Sequence, residues 1–206
     1  MNVESMNVIR KKLDEPSLPA RGSTRVRNDL FDSNCGSVRG KPPWFEAFWY
    51  FVKCIFFLNP LPWPASLKRG VLRLFGADIG RGVNIKPRVN IHLPWKLSIG
   101  DHSWIGEEVF ILNFEPVVIG SHTCISQRSF ICTGNHDYSS ADFSYRNAPI
   151  TIRDGAWIGA QCFVAAGVCV GTEAVALAGS VVTKDLPDAM VCSGNPCVPV
   201  RHRWKD

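Results

Sequence analysis

A six-residue period runs through the chain from Ile79 to Val182, and it constrains the fold more than any other feature. Fifteen apolar anchor residues recur in five groups of three. They are Ile79, Ile85, Ile91, Ile99, Ile105, Ile111, Ile119, Ile125, Ile131, Ile152, Ile158, Val164, Val170, Ala176 and Val182. An α-helix cannot keep a period of six on one face, because it has 3.6 residues per turn. Six residues suit one short strand followed by a bend.

Two further positions of the period are restricted. Eleven of the seventeen glycines fall one or three residues after an anchor, where a bend needs a positive φ or a close backbone approach. The fourth residue after eleven of the anchors is small or β-branched, so we expect it to share a narrow interior with the anchors. Three such units close a triangular coil, and coils stack as a solenoid. The period therefore predicts a mainly β fold, a parallel β-helix of about five triangular coils.

Three insertions interrupt the period, at 92–98, 112–118 and 132–151. Each follows the third anchor of a group, so all three are predicted to emerge at the same corner of the triangular prism. An irregular edge on a regular rod is a natural place for a functional site. The longest insertion contains the sequence TGNHDY, and the imidazole of His136 in it is a side chain that can act as a general base at neutral pH.

The chain divides into three predicted regions. Residues 1–42 are polar and rich in Ser, Pro and Gly, which predicts a disordered N-terminal tail. Residues 43–76 are predicted to form a helical cap with two short helices, an aromatic one over 44–58 and a second over 65–75. The second helix would lie over the open end of the first coil, with Gly76 at its C′ position. Residues 77–206 form the β-helix domain with a C-terminal extension.

Composition excludes several classes of partner. The formal net charge of +5 comes without a dense basic block, so we expect no nucleic-acid partner. The eight cysteines include no C-x-x-C pair, which favours reduced thiols in a cytoplasmic protein. No signal peptide is recognised. The aromatic segment 44–58 is shorter than the roughly 20 residues of a membrane-spanning helix. It either docks on the domain or makes peripheral contact with the inner face of a membrane.

From Ile79 to Arg203 the sequence resembles the hexapeptide-repeat O-acetyltransferases, especially the branch of colanic-acid biosynthesis acetyltransferases. The stretches that carry the resemblance are IKPRVNIHLPWKLSIGDHSWIGE, CISQ with TGNHDY, PITIRDGAWIGA, AGSVVTKDLP and GNPCVPVRHR. The resemblance implies a left-handed coil, a homotrimer, and transfer of acetyl from acetyl-CoA to a sugar hydroxyl without a metal. It also implies a free or lipid-linked saccharide acceptor in exopolysaccharide biosynthesis.

The same resemblance implies roles for individual residues. His136 matches the general base, and the backbone N–H of Ala160 matches the donor that faces the developing oxyanion. The residues that match contacts with coenzyme A are Ala160, Ala178, Thr183, Lys184 and Arg201. The candidates on the acceptor side are Trp157, Tyr138 and Asn113. Galactoside acetyltransferases tend to carry an acidic residue near the position of Asn113. The asparagine of this chain departs from that pattern, and the difference concerns the identity of the acceptor rather than that of the acetyl donor.

Two other functions stay open at this point. The γ-type carbonic anhydrases share the fold and bind zinc through three imidazoles from facing subunits. The five histidines lack the pairing within one coil that this class uses, and His102 and His122 are predicted to stack on adjacent coils. A solenoid scaffold without catalysis would bind no coenzyme A. The presence of His136, Trp157 and Lys184 argues against that alternative.

Overall fold

The structure is a computed structural model that describes residues 25–33 and 39–204. Fifteen short strands follow the repeat and form five complete coils. Their bounds are β1 Asp78–Ile79, β2 Asn84–Ile85, β3 Asn90–Ile91, β4 Leu97–Ile99, β5 Trp104–Ile105, β6 Phe110–Leu112, β7 Val117–Ile119, β8 Cys124–Ile125, β9 Phe130–Cys132, β10 Ile150–Ile152, β11 Trp157–Ile158, β12 Phe163–Val164, β13 Cys169–Val170, β14 Val175–Ala176 and β15 Val181–Val182. β16 (Met190–Ser193) and β17 (Val198–His202) follow.

The strands form three parallel sheets, because each pairs with the strand three places further along the chain. The first sheet runs β1-β4-β7-β10-β13, and the third runs β3-β6-β9-β12-β15. The second sheet, β2-β5-β8-β11-β14, continues into β16 and ends with the antiparallel β17. Leu186 also pairs with Val170, so part of a sixth coil follows the five that the anchors predict. The predicted parallel β-helix is confirmed, with about six turns.

The interior contains the residues that the period selects. All fifteen anchors are buried, and they stack in register from coil to coil, as Ile79 does on Ile99 and Ile99 on Ile119. The small residues four positions after the anchors are also buried, including the polar Ser103, Thr123 and Ser129. Those hydroxyls bond to backbone groups of neighbouring coils. The narrow interior is therefore filled by stacked aliphatic side chains and by short polar groups that have partners.

Glycine has two separate purposes in the bends. Gly120, one residue after an anchor, lies so close to the next coil that a Cβ would stand 2.6 Å from the backbone nitrogen of Asp154. Gly155, three residues after an anchor, has a φ of +66°, which side chains rarely adopt. One register therefore needs close approach and the other needs a left-handed backbone.

Two helices precede the repeat, α1 (Pro43–Phe56) and α2 (Ala65–Leu74), as the sequence predicts. α2 closes the first coil, whose carbonyls have no earlier coil as a partner. Lys68 Nζ donates to the carbonyls of Ile85 and Lys86, and the guanidinium groups of Arg69 and Arg73 donate to those of Val83 and Ile79. Gly76 ends the helix with a φ of +88°. Neither helix in the described ranges is long and apolar enough to cross a membrane.

The predicted tail falls partly outside the described residues, which omit 1–24 and 34–38. The segment 25–33 has a defined position on the longest insertion and contains one short 3-10 helix, Asn28–Leu30. The backbone N–H of Arg27 donates to the carbonyl of Ala141 at 2.7 Å. Seven cysteines in the described ranges are free thiols.

Candidate active site

One corner of the prism carries all three insertions, as predicted. They connect the third sheet to the first sheet, at 92–96, 113–116 and 133–149. A row of rings crosses these insertions from the first coil to the third. The centroid of His92 lies 4.9 Å from that of Phe114, Phe114 lies 5.9 Å from Tyr145, and Tyr145 lies 4.9 Å from His136. We call this edge the insertion corner.

His136 has one ring nitrogen fixed and the other available. Its Nδ1 lies 2.7 Å from the carbonyl oxygen of Phe143, which only accepts, so Nδ1 carries the proton of the neutral ring. Nε2 is then unprotonated. The imidazole is stacked on the ring of Phe143, with centroids 4.2 Å apart and an interplanar angle of 6°. The ring of Phe31, from the N-terminal segment, lies 5.3 Å away. This arrangement presents a basic nitrogen in a fixed orientation.

The aromatic rings around His136 come from two separate segments of the chain. Tyr138 is 80% exposed, and the aromatic rings beside His136 are those of Phe31, Phe143 and Tyr145. Asp137 Oδ1 accepts from the backbone N–H of Ser139, so this carboxylate stabilises the turn. Phe143 and Tyr145 lie in the longest insertion, where their aromatic character was a usable signal. The contact of Phe31 had no local signal.

Asn113 lies at the insertion corner, but its side chain points into the protein. It is fully buried. Its Oδ1 accepts from the backbone N–H of Leu93 at 2.8 Å, and its Nδ2 donates to the carbonyl of Leu93 at 2.6 Å. This corrects the prediction that Asn113 holds the sugar, because its amide joins two successive insertions.

A second corner, between the second and third sheets, carries the predicted oxyanion donor. Ala160 follows β11 and lines a cleft of about 240 Å³ together with Glu107, Gln127 and Arg128. Its neighbours Gly159 and Gln161 donate their backbone N–H groups to carbonyls of adjacent coils, whereas no backbone carbonyl in the described ranges takes up that of Ala160. Ala178 lies on the next coil of the same corner, where a Cβ on Gly159 would meet its backbone nitrogen at 2.6 Å.

The remaining predicted site residues are exposed but dispersed. Trp157 lies on β11 in the second sheet, 45% exposed, and its Nε1 donates to Ser126 Oγ at 2.9 Å. Thr183 and Lys184 follow β15 at the insertion corner, two coils beyond His136. Arg201 lies exposed on β17. A single subunit therefore brings Ala160 and Ala178 together, but it holds His136 at a different corner.

Charged groups line the cleft at the second corner. The Arg128 and Arg88 side chains bond to Glu108 and hold the pKa of its carboxyl below the ordinary value. The cleft therefore combines the carboxylates of Glu107 and Glu108 with the guanidinium group of Arg128 beside Ala160. His102 and His122 stack on adjacent coils, as predicted, with centroids 5.3 Å apart. No group of three or more His, Cys, Asp or Glu side chains within 25–33 and 39–204 is arranged to hold a metal ion.

The sequence of this chain is similar to those of known acetyltransferases. No protein-family model matches the chain. An Escherichia coli (strain K12) protein assigned as the colanic acid biosynthesis acetyltransferase WcaF is 42% identical over 161 residues, which cover 77% of this chain and 86% of the relative. The galactoside O-acetyltransferase of the same strain is 27% identical over 144 residues, covering 68% and 71%.

Solved structures share the fold. The hexapeptide-repeat acetyltransferase VCA0836 from Vibrio cholerae O1 biovar eltor, complexed with acetyl-CoA, matches with a TM-score of 0.72 at 21% identity and covers 87% of this chain and 96% of its own. A galactoside acetyltransferase in complex with coenzyme A matches with a TM-score of 0.71 at 23% identity, covering 79% and 82%.

Proposed function

The chain belongs to the hexapeptide-repeat acetyltransferase family, and from that membership we propose that it acetylates a saccharide hydroxyl during exopolysaccharide synthesis. It is an acetyl-CoA-dependent acetyltransferase. The relative assigned to colanic acid biosynthesis supports a polysaccharide-building acceptor, free or lipid-linked. The observation that carries the proposal is His136, whose Nδ1–H bonds to the Phe143 carbonyl and whose Nε2 is left to accept a proton.

His136 acts as the general base in the proposed reaction. Nε2 takes the proton of the acceptor hydroxyl while the hydroxyl oxygen attacks the thioester carbonyl of acetyl-CoA. The Phe143 carbonyl keeps the tautomer correct and stabilises the imidazolium that forms. Collapse of the tetrahedral intermediate breaks the C–S bond, and the departing thiolate of coenzyme A recovers the proton from His136. The products are the acetyl ester and free coenzyme A.

The oxyanion of that intermediate requires a donor, and we assign this to the backbone N–H of Ala160, which has no carbonyl partner within residues 25–33 and 39–204. His136 and Ala160 lie at different corners of one prism, so the complete site needs two subunits. A cyclic homotrimer would set the insertion corner of one subunit against the cleft of the next. Coenzyme A would lie in that interface, near Ala178, Thr183, Lys184 and Arg201, and Trp157 would line the acceptor side.

The helical cap supports a peripheral membrane location. α1 exposes an aromatic row on one face, made of Trp44, Phe48, Phe51 and Ile55 at i, i+4, i+7 and i+11. Of the six basic side chains in residues 39–75, Lys53 and Lys68 are buried; the other four outnumber the one acidic side chain, Glu46. An exposed apolar row on a basic segment suits an anionic lipid surface. We place the enzyme in the cytoplasm, at the inner face of the membrane.

Release of the coenzyme A thiol tests the reaction. The purified protein is incubated with acetyl-CoA and with hexoses, 6-deoxyhexoses, nucleotide sugars and lipid-linked saccharides, alongside His136→Ala. We expect loss of about 10²-fold or more in the variant. His122→Asn is the matched control, because it removes a histidine remote from the insertion corner. Equal rates for wild type and His136→Ala would refute the base assignment, and failure to bind coenzyme A would favour a scaffold.

A further inference from the structure

A cavity of about 300 Å³ lies between α1 and the first coil. Its lining includes Glu46, Trp49, Tyr50, Lys53 and His92. No step of the reaction uses these side chains. α1 supplies one wall, and the first insertion supplies the other through His92.

Two polar atoms of this cavity are buried without a hydrogen-bond partner. Three such side-chain atoms occur in the described ranges, and two of them, Glu46 Oε1 and His92 Nε2, belong to residues that line this cavity. A buried polar group without a partner costs on the order of 1–3 kcal/mol, so its presence calls for an explanation such as a ligand. The clustering of two in one cavity points to a binding site.

The charges around the cavity restrict the ligand. Glu46 Oε2 pairs with Arg39 Nη1 at 2.5 Å, which leaves Oε1 as a carboxylate acceptor. Lys53 Nζ donates to Asn90 Oδ1 at 3.0 Å and lies over the Tyr50 ring. Because Arg39 neutralises Glu46 and Lys53 already has Asn90 as a partner, the atoms without partners call for hydrogen-bonding groups rather than for an ion. An apolar ligand would leave Glu46 and His92 unsatisfied.

A neutral polyhydroxylated ligand meets each of these requirements. One hydroxyl donates to Glu46 Oε1, and a neighbouring hydroxyl bonds to His92 Nε2, which burial keeps neutral by lowering the pKa of the imidazole to about 4. The ring of Tyr50, which is 61% exposed, gives the C–H face of a sugar an aromatic wall.

The cavity lies on the same edge as the proposed base. His92 begins the row of rings that continues through Phe114 and Tyr145 to His136. Arg39 contacts both the cavity and the row of rings, because it pairs with Glu46 while its guanidinium carbon lies 5.9 Å from the centroid of Phe114. An acceptor that reaches both the cavity and His136 needs more than one sugar residue, because the rings of Phe114 and Tyr145 lie between His92 and His136.

We propose that this cavity is a second saccharide subsite, which binds a sugar residue of the acceptor distant from the hydroxyl that is acetylated. The inference rests on the proposed acetyltransferase function and deepens it. It makes the acceptor an oligosaccharide or the saccharide part of a larger molecule. Glu46 and His92 are then specificity-determining residues, and neither takes part in the chemical step.

Binding is measured first, without turnover. The repeat-unit oligosaccharide of colanic acid is titrated into the full chain while the imidazole C–H resonances are followed by NMR. We expect the His92 resonance to shift with the oligosaccharide, and the Glu46→Gln variant to weaken that binding by about tenfold. Asp78→Asn is the matched control, since it removes an exposed carboxylate on β1. An unmoved His92 resonance would overturn the proposal.

Turnover then separates this inference from the proposed function. With acetyl-CoA, the repeat unit is compared with the monosaccharides obtained from it by acid hydrolysis. We expect Glu46→Gln and His92→Gln to raise the KM for the repeat unit about tenfold and to leave kcat and the monosaccharide rate unchanged. Equal effects on both acceptors would overturn the subsite while leaving the acetyltransferase standing. Absence of transfer to every acceptor, with no coenzyme A bound, would instead refute the proposed function.

Discussion

The placement of His136 and Ala160 at different corners predicts that two inactive variants restore each other. His136→Ala removes the base and leaves the cleft at the second corner intact. Ala160→Trp fills that cleft of about 240 Å³ with an indole and leaves His136 intact. Both side chains lie outside the solenoid interior, so each variant should keep its coils. We expect each variant alone to retain about 1% of wild-type activity or less.

The recovery in mixed trimers follows from the order of subunits around the ring. In the proposed trimer, each site would take His136 from one subunit and Ala160 from the next. A trimer with both kinds of subunit, in either ratio, has one interface where both contributions are wild type. Purified mixed trimers should therefore show about one third of wild-type activity per trimer. Two affinity tags, one on each co-expressed variant, isolate them, and light scattering checks that all preparations have the same mass.

Recovery depends on the two residues coming from different subunits. If one subunit supplied both groups, every site in a mixed trimer would carry a defect, and activity would stay at the level of the two variants. That result in particles of trimeric mass would refute the assignment of the site to the interface. Lys184→Ala mixed with His136→Ala then tests from which subunit the proposed contact of Lys184 with coenzyme A comes.

Three further predictions concern the cap, the bends and the first insertion. Replacing the three aromatic residues of the aromatic row with serine should abolish flotation with anionic liposomes, whereas replacing exposed Val118, Val198 and Val200 with serine should not; equal flotation would refute membrane contact. Gly120→Ala should lower the free energy of unfolding in urea by about 1–3 kcal/mol, because the added Cβ meets the next coil. Gly70→Ala on α2 should raise the free energy of unfolding slightly, because a Cβ added there would meet no atom within 4 Å. Folding lowers the pKa of His92 from 6.5 to about 4, so the unfolded chain binds a proton at His92 at a higher pH than the folded chain does. The free energy of unfolding should therefore decrease as the pH falls from 6.5 to about 4. His92→Gln should remove that part of the slope, and an unchanged slope would contradict it.

The repeat predicted the strands well, because each anchor fixes the position and inward direction of one strand. It missed the sixth coil, since Leu186 follows Val182 by four positions instead of six, and the next buried residues are Val191 and Cys192. The period says less about the corners. Whether Asn113 points outward depends on the backbone of an insertion, and the structure turns it inward to Leu93.

Contacts between distant parts of the chain had no pattern in the sequence. Phe31 reaches His136 from a segment that composition marks as a tail. Glu46 and His92 share a cavity only because α1 lies against the first insertion. The sequence locates chemistry where one motif carries it, and it fails where a site is assembled across more than forty intervening residues, as it is for Glu46 and His92.

The closure of both ends of the solenoid decides how copies of this chain can associate. A stack of parallel coils with open ends would accept another stack at each end and grow into a fibril. The three cations of α2 occupy the carbonyls of the first coil. At the other end, β17 pairs antiparallel with β16 and ends the second sheet, and Arg203 donates to the carbonyls of Gly155 and Glu173. A second prism therefore cannot continue the parallel stack at the first coil or in the second sheet, which favours the flanks of the prism for the self-assembly proposed above.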